Sequence, residues 1–156
     1  MIHIFVDGSC KGNPGPGGFG VVICQGEWGD NPKDYKIINA YQERCSQTTN
    51  NREEMKAIIW TVENCGEADP IIYSDSAYCV NTFSKWMYGW RDNGWKRPKN
   101  QPVENLDLVQ KYYALSQTHN ITLMKVPGHS GVLYNELADQ LATGKITTEE
   151  VMNKYG

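Results

Sequence analysis

The order in which strand-like and helix-like runs follow one another constrains the fold of this chain more than any other feature. Residues 2–6 form a short apolar run rich in β-branched side chains and stopped by Asp7-Gly8, which predicts a buried strand and a turn. Residues 19–24 predict a second strand after a glycine-rich loop. Residues 35–41 predict a third, after a turn at Gly29-Asp30-Asn31-Pro32. Three close strands joined by turns imply an antiparallel meander. At Thr49 the period changes. Asn50 with Glu53 resembles a capping box, and Met55, Ile58, Ile59 and Val62 keep the i, i+3, i+4, i+7 spacing of an amphipathic helix ending near Gly66. A buried strand follows at residues 70–73, then helices over 77–90 and 103–117 with Leu106, Val109 and Tyr113 inward. A last strand is predicted at 121–126, a loop at 127–133 and a helix at 135–143. Residues 147–155 add a turn or two, with Thr147 and Glu150 as a capping box. Strands separated by helices run parallel through right-handed crossovers. The expectation is an α/β fold: one mixed five-stranded sheet with helices on its faces.

A chain of 156 residues, 40% hydrophobic and 21% charged, has the length and composition of one globular domain, here 1–156 with a core of about 1–145 and a short tail. The formal charge of −3 gives no general affinity for polyanions, so such binding needs a local basic patch. The five cysteines are scattered, odd in number and without a C-x-x-C pair, which argues against a zinc site or disulfide framework. The apolar start is six residues long before Asp7, too short for a leader or a membrane span. A cytoplasmic protein is expected.

Two carboxylates stand at the ends of apolar strands, Asp7 and Asp75. Ligands of open α/β sheets gather at such ends, and parallel neighbours would present both acids on one edge. A lone Asp after a strand is usually a turn or cap; two on one edge shift the balance toward a functional reading. On the first helix, Glu54 falls beside the apolar stripe, one turn before Ile58, whereas Glu53 points to the opposite side. Glu53 can complement the helix dipole without nearing the core, which leaves Glu54 as the functional candidate. Asp139 flanks the stripe of Leu137, Ala138, Leu141 and Ala142, with Glu136 opposite; by pattern alone it is a solvated residue.

Gly15-Pro16-Gly17-Gly18-Phe19-Gly20 formally matches a dinucleotide fingerprint. The strand-like Val21-Val22-Ile23-Cys24 follows where that motif needs a helix, so the match is spurious and the segment reads as a hairpin turn.

Four segments, VDGSCKGNPGPGGFG, TTNNREEMKAI, IIYSDSAYCV and VPGHSGVLYNELADQLA, resemble in order the signature segments of type 1 ribonucleases H, from Ile2 to about Thr143. The resemblance implies the ribonuclease H-like fold with strand order 3-2-1-4-5. It implies an endonuclease that hydrolyses the RNA strand of RNA/DNA hybrids and leaves 5′-phosphate and 3′-hydroxyl ends. Asp7, Glu54, Asp75 and Asp139 become the acidic set. Two Mg²⁺ ions are implied, with Mn²⁺ as a substitute: Asp7, Glu54 and Asp75 on one, Asp7 and Asp139 on the other, and the Gly8 backbone facing the site. Hard oxygen donors suit such ions. His129 matches the family's mobile histidine, implicated in proton transfer or product release. Asn13, Asn50, and Gln47 or Thr49 match or adjoin segments that contact the hybrid, and Asn135 is carried with them as a nucleic-acid contact.

Lys85, Arg91, Lys96, Arg97 and Lys99 place a third of the 15 basic residues in 15 consecutive positions, interleaved with Trp86, Trp90 and Trp95. The segment resembles the family's basic protrusion, which grips the DNA strand. Trp86 is expected in the core; Trp90, Arg91 and Trp95 are expected to contact nucleic acid, Arg91 with Thr49 at a DNA phosphate. Ala77 departs from the family where a glutamine is common, and Val126-Pro127 stands where a basic residue is frequent. A non-catalytic binding module is disfavoured, because crowded negative charge gains nothing on a polyanion. A DNA-processing nuclease of the same fold is disfavoured by Asn50-Asn51 and the basic tryptophan segment. No protein partner or membrane is implied, and a monomer is expected.

Overall fold

The computed structural model describes residues 1–27, 34–126 and 133–156. Strands β1 (Ile2–Cys10), β2 (Gly15–Gln25) and β3 (Lys36–Thr48) form an antiparallel meander. Helix α1 (Asn50–Cys65) crosses to β4 (Ile71–Ser74), which pairs parallel with β1. Helices α2 (Ala77–Asn81) and α3 (Met87–Asp92), joined by a π-helical turn over Thr82–Trp86, precede a two-stranded ribbon of Lys96–Arg97 and Gln101–Pro102. Then come α4 (Leu106–Ser116), β5 (Thr122–Lys125) parallel to β4, α5 (Leu133–Thr143) and α6 (Thr148–Tyr155). The order in the main sheet is β3-β2-β1-β4-β5, as the resemblance implies.

Successive side chains of a strand face opposite ways. Ile4 and Val6 of β1 therefore join Met55, Ile58 and Val62 of α1 in one core, while Phe5 joins Val22, Leu137, Leu141 and Val151 in the other. Among the described residues no helix is long and apolar enough to cross a membrane.

Four expectations need correction. The glycine segment is not a turn: it is the first half of β2, and the turn lies between Cys10 and Gly15. Its glycines do serve close backbone approach, because a Cβ at Gly20 would lie 2.6 Å from Leu141 Cβ and 2.9 Å from Ala142 N. A strand without side chains there lets α5 rest directly on the sheet. Second, Glu53 is not on the solvent side: it is 0% exposed, with Thr48 Oγ1 donating to Oε2 at 2.7 Å and Lys56 Nζ 2.8 Å away. The helix wheel reports only the helix's own stripe, and the end of β3 covers that side. Third, α1 is capped by Thr49, whose Oγ1 accepts from Arg52 N at 3.2 Å, rather than by Asn50. Along α4, Tyr112 is the buried tyrosine, stacked on Phe83 at 3.9 Å, and Tyr113 is only half-buried. The turn predicted at Gly29-Asp30-Asn31-Pro32 lies outside the described residues.

The predicted capping box of α6 is present, with Thr147 Oγ1 accepting from Glu150 N and Thr147 N donating to Glu150 Oε1. Thr147→Ala is expected to cost about 1 kcal/mol in urea denaturation, since the amide it satisfies is left to solvent. A change below about 0.3 kcal/mol would mean that α6 is not coupled to global unfolding.

Candidate metal centre

Asp7 and Asp75 meet because β1 and β4 are parallel neighbours. The register pairs Phe5 with Tyr73, and two residues further on it sets Asp7 beside Asp75 at the carboxyl end of β4. Glu54 arrives from α1, whose first turn lies against Gly8. A Cβ at Gly8 would sit 2.7 Å from the Glu53 carbonyl carbon and 2.8 Å from Glu54 Cα, so only glycine admits the helix this close. Gly8→Ala is therefore expected to cost about 1–3 kcal/mol as an overpacked backbone contact. It should also lower Mg²⁺ affinity by withdrawing Glu54. Calorimetric Mg²⁺ titration checks this, and an unchanged affinity would mean that the Gly8 contact does not place Glu54.

One carboxylate oxygen of each of Asp7, Glu54 and Asp75 lies within 4.8 Å of the others. Glu54 is 3% exposed and accepts a hydrogen bond from Ser74 Oγ at 2.7 Å; Asp7 is 8% exposed and accepts from the Gly8 amide at 3.0 Å. Burial pushes the Asp7 carboxyl far above its ordinary value, to about 10, and the charges of Glu54 and Asp75 push the same way. Glu54 rises to about 7, chiefly through burial, with Asp75 adding to the rise and the Ser74 hydroxyl opposing it. Crowded buried acids hold protons unless a cation replaces them. A dense set of hard oxygen donors at one point can hold a divalent ion.

Asp139 is exposed on α5 and lines the same cleft, of about 200 Å³, with Asp7, Asp75, Asn135, Glu136 and Lys145. Gly20 is the cross-strand partner of Asp7, so seating α5 on Gly20 carries Asp139 to the acids. Asn135 is 6% exposed, one turn before Asp139, and its Oδ1 has no partner among the described residues. The structure thus brings together all four predicted acids. His129 lies outside the described residues.

The predicted nucleic-acid contacts other than Asn135 fall in two groups. Asn13, in the turn after β1, accepts from Asn50 N at 2.8 Å, which joins that turn to the start of α1 beside Thr49. In the second group Trp90 and Trp95 are half-buried against the α1 core, Trp95 edge-on to Tyr113 at 5.5 Å. Arg91 donates to Tyr113 Oη at 3.1 Å and pairs with Asp92 at 2.8 Å. Trp86 corrects the expectation of a core anchor: it is 44% exposed, because the π-helical turn rotates it away from the sheet. Sequence reasoning missed Ser74, the donor to Glu54, although its place next to Asp75 at the strand end was a usable signal. It also missed Lys145, which no periodic pattern marks.

The RNase H family profile matches residues 1–147. Ribonuclease H from Maricaulis maris is 42% identical over 143 residues, covering 90% of each chain. Ribonuclease H from Chlorobaculum parvum is 43% identical over 143 residues, covering 90% of this chain and 92% of that one. The crystal structure of LC9-RNase H1, a type 1 RNase H with the type 2 active-site motif, superposes with a TM-score of 0.76 at 29% identity, covering 96% of this chain and 74% of that one. Sheet order, acid cluster and relatives agree, and this chain belongs to the RNase H family.

Proposed function

We propose that this protein is an endonuclease that hydrolyses the RNA strand of RNA/DNA hybrids, using two divalent ions and leaving 5′-phosphate and 3′-hydroxyl ends. The convergence of Asp7, Glu54 and Asp75 within 4.8 Å, with Asp139 lining the same cleft, is the observation that carries this reading. Mg²⁺ would be the resident ion, with Mn²⁺ as its substitute. Asp7, Glu54 and Asp75 would hold one ion, Asp7 and Asp139 the other. Bound there, the ions would supply positive charge for activating a water and for stabilising the leaving 3′ oxygen. The chain's own part is placement. Ser74 fixes the Glu54 carboxylate at 2.7 Å, and the Gly8 contact sets α1 at the correct height. Asn135 offers a buried oxygen on the cleft wall with no partner among the described residues, and an RNA 2′-hydroxyl is a donor suited to it. Asn13, Thr49 and Asn50 hold the hybrid's backbone. Trp90, Arg91 and Trp95 receive the DNA strand, where aromatic faces and a cation suit sugar and phosphate. His129 assists proton transfer or product release.

The test compares labelled RNA/DNA hybrid, single-stranded RNA, duplex RNA and duplex DNA, each with Mg²⁺ and with chelator. Cutting confined to the RNA strand of the hybrid, absent with chelator, is the expected result. Equal cutting of duplex DNA, or cutting that survives chelation, would overturn the reading.

A further inference from the structure

The acid cleft holds one cation among its described lining residues, Lys145. Just before it in the chain, Thr143 opens onto a second depression of about 350 Å³, shared with Ser9, Lys11, Gly17 and Arg44. Gly144 joins the two, since a Cβ there would lie 3.7 Å from the Arg44 guanidinium carbon. Lys145, Arg44 and Lys11 thus follow one another from the acids toward the turn after β1.

The backbone beneath this row is held firmly. Gly144, at φ +78°, closes the end of α5 with its amide donating to Leu141 O, and Lys145 N donates to Gln140 O at 2.9 Å. Gln42 Nε2 donates to Ile146 O at 3.0 Å, and Arg44 Nη1 donates to Ala142 O. Attraction to the carboxyl end of α5 accounts for Lys145 and Arg44 in part. It does not account for Lys11, which stands on a separate turn. Arg52, Lys56, Arg91 and Lys111 each pair with a carboxylate, whereas none of these three does among the described residues. In a chain of formal charge −3, three neighbouring cations with no ion pair among the described residues make a local basic row of the kind that anion binding needs.

We propose that Lys145, Arg44 and Lys11 form a phosphate track for the RNA strand, carrying it away from the bond being cut. The track rests on the hybrid-cleaving function proposed above. RNA rather than DNA is the occupant because the row begins in the cleft that receives the scissile bond. Trp90 and Trp95, proposed for the DNA strand, pack on the other core. Contacts of this kind are sequence-independent and act on affinity.

The test is the double variant Lys11→Gln/Lys145→Gln, with kcat and KM for a fixed hybrid measured across a salt series in saturating Mg²⁺. Arg44 is left in place because it also holds α5. KM is expected to rise about 10-fold at low salt with kcat within about 2-fold, and the dependence of log KM on log salt should flatten by about 0.9 per lost contact. Lys11→Arg/Lys145→Arg should restore both, and Lys154→Gln on α6 should change neither. An unchanged salt slope in the double variant, or a fall in kcat at constant KM, would overturn the track alone. Failure of the unmodified protein to cut any hybrid would instead remove the parent function and the track with it.

Discussion

Asp7→Asn is expected to reduce hybrid cleavage by on the order of 10³-fold or more while making the metal-free protein more stable. Asp7 is the one acid proposed to serve both ions, so an amide there removes charge from each. In the metal-free state the same carboxyl is a liability: buried, beside Glu54 and Asp75, and raised to about 10. At neutral pH the folded protein must keep a proton on Asp7 that the unfolded chain releases. Asn carries no such cost and has nearly the same shape. The expected gain is about 1–3 kcal/mol at pH 7 to 8, read as a rise of about 2–4 °C in Tm per kcal/mol. Mg²⁺ should raise the Tm of the unmodified protein and hardly that of Asp7→Asn. A variant that is both inactive and less stable would show that Asp7 is a structural acid.

Stability of the metal-free protein is expected to fall as pH rises, opposite to the behaviour of a salt-bridged carboxylate. Asp7 and Glu54 both have folded values above their ordinary ones, 3.8 to about 10 and 4.5 to about 7. Below about pH 3 both are protonated in folded and unfolded chains alike, and they impose no penalty. Between there and the folded values the unfolded chain has released protons that the folded chain retains, so stability declines with pH. Glu54 contributes to the decline up to about pH 7, and Asp7 continues it toward pH 10. Saturating Mg²⁺ should remove the slope, because the ion takes the place of the protons. Urea titrations at pH 5, 7 and 9, with Mg²⁺ or chelator, measure this. A metal-free stability that climbs from pH 5 to 9 would contradict the burial of these two acids.

Asp7 and Asp75 are legible in the sequence because each follows an apolar run short enough to be a buried strand. Glu54 is legible because Ile58 and Ile59 define a stripe that it borders. The stripe misleads for Glu53, which is buried by Thr48 of β3, a contact that no local period encodes. β2 defeats pattern reading for a related reason. Its glycines look like a turn, and only the arrival of α5, more than a hundred residues later, explains why strand positions there lack side chains. Asp139 is exposed and unremarkable on its own helix; the seat of α5 on Gly20 gives it its place at the cleft. Trp86 faces solvent because five residues adopt a π-helical turn, which a period of 3.6 cannot anticipate.

Anomalous diffraction from crystals soaked in Mn²⁺ addresses the site most directly. Density between the carboxylates of Asp7, Glu54 and Asp75 is expected, with a second peak between Asp7 and Asp139 once a hybrid is bound. Manganese found only at other surface positions, with these four side chains free of metal, would contradict the assignment.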